Sequence, residues 1–413
     1  MARPFLENVD FSANLAAQDW PAAAYVHIPF CRRRCFYCDF PISVVGDRLR
    51  GETSLGIQQY VDWLCAEIQA TPSLGQPLNT IFFGGGTPSL LAAAQVEQIV
   101  ETLATQFGLA ANLEISMEMD PGTFTLAQVQ AFRRAGINRA SLGTQAFQDD
   151  LLEVCGRTHR VSDIYTAVDW VRQAGYDNVS LDLISGLPGQ TLAQWQHSLE
   201  AVIALKPQHL SAYDLVLEPE TAFGKRWAPG EGPLPTDELT AQMYRMASQM
   251  LQAAGYRHYE ISNYALPGFE CRHNLTYWRN EPYYGFGMGA ASYLHGQRWS
   301  RPRTRVAYRE WLDHYIQAAG HLDEGMGDEG DRLFETFMVG LRRAEGIELS
   351  QFAHQIDVEQ VCRDLAPYVA EGWVALEGDR RLRLTDPEGF LFSNTVLVAL
   401  WESLAAADRG NAQ

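Results

Sequence analysis

Six strand patterns, with helical patterns between them, lie between residues 22 and 217 of this 413-residue chain. Each strand pattern is a short apolar run, and the stretches between them have apolar residues at helical spacing. The six strand patterns cover residues 22–28, 78–83, 113–119, 137–143, 178–184 and 209–217. This alternation predicts an α/β fold with a parallel sheet and right-handed crossovers. Six units instead of eight predict an incomplete, laterally open (β/α)6 TIM-like barrel.

The alternation stops after Glu218, and a connector rich in proline and glycine covers residues 228–235. A glycine-rich stretch at 283–289 is expected to lack regular structure. After residue 306 the pattern predicts helices, an acidic break at 323–330 and a hairpin turning at 378–379, which together indicate a helical, winged-helix-like domain. The predicted domains are a lead-in (1–21), the barrel (22–220), a connecting region (221–305) and a C-terminal helical domain (306–405).

The net charge and the cysteine content limit the possible ligands and the cellular compartment of the protein. The formal net charge of −18 argues against a nucleic-acid surface, because Lys and Arg carry phosphate binding. Seven scattered cysteines do not form a disulfide framework, so we expect reduced thiols and a cytoplasmic protein. We expect no signal peptide, and no apolar run reaches the ~18 residues that a membrane span requires.

Three cysteines, Cys31, Cys35 and Cys38, follow the first strand pattern with the spacing C-x3-C-x2-C. Thiolates suit zinc or an iron–sulfur cluster. Zinc would need a fourth ligand, such as His27 or Asp39. A cubane cluster with three protein thiolates keeps one iron open for another ligand. The position of the loop at the start of a parallel strand series favours the cluster.

Other polar or glycine-rich positions follow the remaining strands. Parallel strands end at one edge of a barrel, so these positions converge there. Glycines let a backbone approach a ligand closely. Taken alone, each polar residue also fits an ordinary rim position. The candidates beside the cysteines are Gly85, Gly86, Thr87, Glu118, Gln145 and Asp182.

The cysteine spacing, the aromatic residue before the last cysteine and the GGGTP segment at 84–88 resemble the radical S-adenosylmethionine (radical SAM) superfamily. The resemblance implies that the three cysteines hold a [4Fe-4S] cluster whose open iron binds S-adenosylmethionine. It also implies a 5′-deoxyadenosyl radical formed by one-electron cleavage of that cofactor. The resemblance implies that Phe36 shields the cluster and that Thr87 belongs to the loop that holds the methionyl ammonium. It also implies that Arg157 binds the cofactor carboxylate and that Asp182 binds the ribose hydroxyls. The full set of implied cofactor-binding residues is Tyr25, His27, Phe36, Gly85, Gly86, Thr87, Glu118, Gln145, Arg157 and Asp182.

Longer segments at 118–123, 141–147, 155–159 and 182–190 resemble one branch of that superfamily. This branch contains oxygen-independent coproporphyrinogen III oxidase and a group of haem chaperones. Asp120 departs from the asparagine that the chaperones carry, which concerns local geometry only.

Two functions on this scaffold compete. The oxidase decarboxylates two propionates of coproporphyrinogen III, and it has a fourth cysteine two positions after the third, where this chain has Phe40. The chaperones have an H-N-x-x-Y-W motif linked to haem, which this chain carries at residues 273–278. His273 is the implied haem ligand, and Cys271 is an alternative. On residues alone, His273 and its aromatic neighbours also fit an interdomain core.

The favoured function is that of a haem chaperone, which binds haem, the cluster and S-adenosylmethionine and delivers haem to acceptors such as respiratory enzymes. The alternative is the oxidase, which would make the chain a coproporphyrinogen dehydrogenase-type enzyme. A third option is a radical enzyme with another substrate, such as a methyltransferase. The expected partners are haem and haem-acceptor proteins, not nucleic acid, and any membrane association is expected to be transient and mediated by an acceptor.

Overall fold

The computed structural model describes residues 20–47, 50–321, 329–378 and 380–411. Most of the predicted lead-in, most of the acidic break and Asp379 of the predicted hairpin turn lie outside these residues. Within the described part of the chain, no helix is both long and apolar enough to cross a membrane.

In chain order, the strands are β1 (Ala23–Ile28), β2 (Phe30–Cys31), β3 (Ser43–Val44), β4 (Leu78–Gly85), β5 (Leu109–Met119), β6 (Arg139–Gln145), β7 (Val179–Ser185), β8 (His209–Asp214), β9 (Arg257–Glu260), β10 (Asn263–Ala265), β11 (Tyr284–Phe286), β12 (Ala291–Leu294), β13 (Gln297–Ser300), β14 (Ile347–Glu348), β15 (Val374–Glu377) and β16 (Arg381–Leu384). The helices are α1 (Leu55–Ala70), α2 (Ala93–Phe107), α3 (Leu126–Arg134), α4 (Asp149–Val154), α5 (Val161–Gln173), α6 (Leu192–Leu205), α7 (Asp237–Ala253), α8 (Arg272–Trp278), α9 (Arg305–Gln317), α10 (Glu329–Gly340), α11 (Val358–Asp364), α12 (Ala366–Ala370), α13 (Glu388–Leu391) and α14 (Ser393–Asn411).

The main sheet contains the six predicted strands side by side and parallel, in the order β1-β4-β5-β6-β7-β8. The register aligns Val26 with Phe83 and Phe83 with Met117. Strand β11 extends the sheet beside β1, and β10 and β9 extend it antiparallel beside β8. Since β11 and β9 are the two outer strands, the barrel stays laterally open, and the predicted fold class is confirmed.

Helices cover the outside of the sheet with apolar faces. In α2, for example, the buried residues Val96, Ile99 and Leu103 recur at helical spacing. The strand residues that alternate with the outward-facing ones point into the barrel, and several of them are polar. Buried polar residues of this inner face include Thr80, Glu114, Ser141, Ser180 and His209.

The prediction that residues 283–289 lack regular structure is wrong for β11. This segment pairs in parallel with β1, aligning Gly285 with Tyr25. A Cβ atom on Gly285 would lie 1.9 Å from the carbonyl oxygen of Ala291. The glycine is therefore needed because a neighbouring backbone approaches closely.

The C-terminal part combines helices α10–α14 with a three-stranded sheet of order β14-β16-β15. It has its own apolar core, which includes Phe337, Leu349 and Leu382. The connecting region is anchored to the barrel by a buried ion pair between Arg301 and Glu67, 2.8 Å long. Glu67 also accepts hydrogen bonds from the Gly287 amide and the Tyr308 hydroxyl.

Candidate functional site

A cavity of about 520 Å³ opens at the carboxyl ends of the barrel strands. We use the term rim for all the residues that line this cavity, both at its wall and at its floor. The predicted site residues that line it are Cys31, Cys35, Cys38, Gly85, Gly86, Thr87, Glu118, Gln145, Arg157 and Asp182. Residues from five strand ends are thus brought together, as expected for a parallel barrel.

Hydrogen-bond donors face all three thiols, and the donor to Cys38 is the backbone amide of Phe40. The Thr87 hydroxyl lies 3.6 Å from Cys31 Sγ, and Arg157 Nη1 lies 3.5 Å from Cys35 Sγ. Burial raises the pKa of the Cys31 thiol to about 12. A bound metal reverses that preference, because a coordinating thiol is deprotonated. Within the described residues, no three His, Cys, Asp or Glu side chains are grouped so as to hold a single metal ion.

The glycine turn after β4 lies against β1. Gly85 has φ +103°, and a Cβ atom there would lie 2.3 Å from the ring of His27. A Cβ atom on Gly86 would lie 2.7 Å from the carbonyl oxygen of Ile28. Only glycine fits this approach, which leaves bare backbone at the cavity wall.

Tyr25 and His27 lie behind the glycine turn and do not line the cavity. The two side chains hydrogen-bond each other at 3.1 Å, and His27 Nε2 lies 2.9 Å from the carbonyl oxygen of Pro41. Burial lowers the pKa of His27 to about 4, so the ring is neutral. In this arrangement they support the turn from behind the cavity wall.

Phe36 also lies outside the cavity wall. Its ring packs against Phe223 with centroids 6.0 Å apart, and its backbone amide donates to the carbonyl oxygen of Cys155. The neighbouring Tyr37 lines the cavity instead. Phe36 therefore attaches the cysteine loop to the surrounding chain.

Two acidic side chains form the cavity floor. Burial, followed by the nearby Asp182 charge, raises the pKa of Glu118 to about 8. Burial also raises the pKa of Asp182, although the hydroxyls of Ser211, Ser141 and Ser180 oppose that rise. Glu118 accepts a hydrogen bond from the Gly85 amide. Two carboxyl groups at the cavity floor suit a ligand that carries hydroxyl groups or a cationic group such as an ammonium.

Two further features of the rim concern its geometry. Gln145, at the end of β6, has φ +64°, an uncommon backbone conformation for a residue other than glycine.

Arg157 is paired with Asp120 and donates to the carbonyl oxygen of Gly143 at 2.9 Å. Sequence reasoning missed this partnership of Asp120, although the departure at that position was the available signal. A ligand carboxylate would compete with Asp120 for Arg157.

His273 lies on α8, which is buried against the inner face of β4 and β5 away from the rim; we call α8 the plug. His273 is completely buried, with Nδ1 2.8 Å from the Thr80 hydroxyl and Nε2 2.7 Å from the Tyr277 hydroxyl. Its ring stacks on Phe82 at 5.2 Å. Burial lowers its pKa to about 3. The imidazole is thus neutral, and both nitrogens already have partners.

Glu114 of β5 holds the start of the plug. Its carboxylate accepts hydrogen bonds from the backbone amides of Arg272 and His273. This is favourable because the amides at a helix start have no partner within the helix. Cys271, the alternative haem ligand, is fully buried, and burial raises the pKa of its thiol to about 12.

A chain of buried hydrogen bonds joins rim and plug. Ser180 donates to Asp182 at 3.2 Å and lies 2.8 Å from His209 Nδ1. His209 Nε2 lies 2.8 Å from the Tyr259 hydroxyl, which accepts from the Cys271 amide at 3.3 Å. The cavity floor and the plug are therefore parts of one polar interior.

Comparison with known proteins shows which superfamily has this architecture. Residues 25–202 match the model of the radical SAM superfamily, and residues 328–392 match that of the HemN C-terminal domain. The solved structure of coproporphyrinogen III oxidase (HemN) from Escherichia coli superposes with a TM-score of 0.75 at 23% identity, covering 93% of this chain and 90% of the other. Fold and rim define a protein of the radical SAM class, as the motifs predicted.

The relatives narrow the class further. A heme chaperone HemW from Synechocystis sp. is 45% identical over 93% of this chain and 97% of its own length. The HemW of Escherichia coli is 34% identical over 91% and 97%. The chain belongs to the HemW family. Membership of the radical SAM superfamily implies a [4Fe-4S] cluster and S-adenosylmethionine as cofactors, which favours iron–sulfur over zinc at the cysteine loop.

Proposed function

We propose that this protein is a haem chaperone, which binds haem and passes it to haem-requiring proteins such as respiratory enzymes. The observation that carries the proposal is the 45% identity to a heme chaperone HemW across nearly the whole of both chains. Phe40, in place of the fourth cysteine of the oxidase pattern, points the same way. The match to HemN at 23% identity speaks for the fold alone.

The rim is the proposed cofactor site. Cys31, Cys35 and Cys38 would hold the cluster, since all three thiols line one cavity and each faces a hydrogen-bond donor. When bound, the cluster supplies one-electron chemistry to S-adenosylmethionine. The acidic floor suits that cofactor, because Asp182 can accept from ribose hydroxyls and Glu118 lies beside the glycine turn.

Arg157 would orient the cofactor carboxylate. Its guanidinium faces the cavity and is fixed by Asp120 and the Gly143 carbonyl group. The backbone of Gly85, Gly86 and Thr87 would hold the methionyl ammonium, and the amide side chain of Gln145 lines the same wall.

His273 is the proposed haem ligand, with neutral imidazole as the required form. Burial keeps the ring neutral, because it lowers the pKa of His273. Haem binding at His273 would exchange the contacts with Thr80 and Tyr277 for iron and porphyrin contacts. The plug must therefore open before haem is ligated there.

Haem titration combined with an oxidase assay tests the proposal. Reconstituted protein should bind haem, and His273→Ala should weaken that binding while His314→Ala, on the remote helix α9, should not. In an anaerobic assay with coproporphyrinogen III, we expect no protoporphyrinogen. Sustained turnover to protoporphyrinogen would establish the oxidase instead, and failure to bind haem would remove the chaperone.

A further inference from the structure

The buried position of His273 raises the question of where haem first contacts the protein. Both ring nitrogens of His273 are occupied, and the side chain is completely enclosed. A haem molecule arriving from solvent or from another protein therefore needs an accessible surface that does not involve this ring.

Exposed apolar side chains border the mouth of the rim cavity. Phe40 is 60% exposed, Val216 is 64% exposed and Tyr213 is 41% exposed. All three line the cavity, as does Ile42. Exposed apolar groups concentrated at a cavity mouth mark a binding surface.

Cationic side chains lie at the same mouth. Arg32 lines the cavity, and its charged neighbours are Arg50, Asp47 and Asp120. Among the residues that the structure describes, no hydrogen-bond or ion-pair partner of Arg32 is present. In the described part of the chain, Arg33 is paired with Asp47 at 3.3 Å, and both side chains are exposed. A cavity-lining guanidinium without a direct hydrogen-bond partner in the described part of the chain suits an anionic ligand.

The acidic groups at the mouth fix the direction in which such a ligand would lie. Asp39 is paired with Arg303 at 3.4 Å. Glu218 lines the cavity next to Val216, and no side-chain partner is present for it among the described residues. An anionic group is repelled on the Val216 side and attracted on the Arg32 side. An amphipathic ligand would thus lie with its apolar body over Phe40 and Val216.

We propose that haem docks at this mouth, with a propionate on Arg32 and the macrocycle against Phe40 and Val216, before it is ligated at His273. The inference rests on the proposed haem-chaperone function. Haem fits the surface because it combines a flat apolar body with two carboxylates at one edge. The role of Phe40 would then be to contact haem where the oxidase pattern has a cysteine.

Stopped-flow haem binding to the cluster-loaded full-length protein tests the inference. We expect Arg32→Gln to slow haem association about two- to fivefold, as for loss of one partly exposed charge pair. Phe40→Ser should weaken binding about five- to tenfold through lost apolar contact. Matched controls on α9 are Arg309→Gln and Val306→Ser, which remove the same kinds of group from another exposed surface.

Haem dimethyl ester identifies the group that contacts Arg32. If a propionate binds Arg32, the ester should associate about as slowly with the wild type as haem does with Arg32→Gln, and the two changes should not add. Iron content and the cluster absorbance of each variant must match the wild type, because Arg32 adjoins Cys31. Normal haem association in both variants would overturn the docking site and leave the chaperone function standing. Absence of haem binding by the wild type would overturn both.

Discussion

The rim and the plug are two ends of one polar interior, but they differ in how their polar groups are satisfied. At the rim, Glu118, Asp182 and the three thiols face a cavity of about 520 Å³. At the plug, His273 is enclosed and each ring nitrogen has a hydroxyl partner. The rim is therefore ready to receive a ligand, whereas the plug must first break hydrogen bonds.

This difference fits a division of labour within a haem chaperone. A cofactor that stays bound needs a preformed site, which positions its polar groups without reorganisation. A ligand that must be released benefits from a site that closes when empty, since the protein's own contacts then compete with it. Substitutions at the two ends can show whether rim and plug differ in these ways.

The largest effect is expected at the rim. Cys35→Ala should abolish stable cluster binding, because it removes one of three proposed thiolate ligands. Iron and sulfide analysis with the visible absorbance of reconstituted protein measures this. Cys362→Ser, in the C-terminal part, should leave the cluster intact. A zinc-loaded, iron-free wild type would contradict the cluster assignment.

At the plug we expect a loss of stability. His273→Leu leaves the buried hydroxyls of Thr80 and Tyr277 without their partner, and each such loss costs about 1–3 kcal/mol. The free energy of unfolding of the haem-free protein should fall by about 2–4 kcal/mol in urea titrations. Tyr277→Phe removes one of the two bonds and should cost less. An unchanged midpoint for His273→Leu would show that the plug is not held closed by this ring.

The same difference decided what could be predicted from sequence. The rim was predictable because strand ends of a parallel barrel converge, so Gly85, Glu118 and Asp182 could be grouped without coordinates. The enclosure of His273 was not, because Thr80 lies almost two hundred residues earlier and only the folded sheet brings the two together. Strand β11 was missed because a glycine-rich sequence is typical of irregular structure, whereas Gly285 permits a close backbone approach.

The pH dependence of stability should reveal the polar chain between the two ends. Burial, followed by the Arg139 charge, lowers the pKa of His209 well below its usual value of 6.5. The unfolded chain binds a proton at this residue below pH 6.5 while the folded chain does not, so acid favours unfolding. Stability from His209 is fully present above pH 6.5 and is lost as the pH falls, by up to about 1.4 kcal/mol per pH unit.

His209→Leu should therefore flatten the stability profile between pH 6.5 and 5, a difference of about 2 kcal/mol over that interval. Urea titrations of the haem-free protein at several pH values provide the measurement. His314 is exposed, so His314→Leu is the matched control and should keep the wild-type slope of stability against pH. Equal slopes for wild type and His209→Leu would mean that the folded protein binds that proton after all.

The smallest expected effect concerns one hydrogen bond at the rim. The Thr87 hydroxyl lies 3.6 Å from Cys31 Sγ and 3.2 Å from Asp120 Oδ2, and its single proton can be donated to only one of them at a time. A donor to a cluster thiolate stabilises the reduced, more negative cluster.

If Thr87 donates its proton to the Cys31 sulfur, Thr87→Val should lower the midpoint potential of the cluster by about 20–60 mV, the value of roughly one hydrogen bond. Thr87→Ser keeps the hydroxyl and should keep the potential. An unchanged potential in Thr87→Val, measured by redox titration of the cluster signal, would assign the proton to Asp120, and Thr87 would then serve to position the carboxylate that holds Arg157.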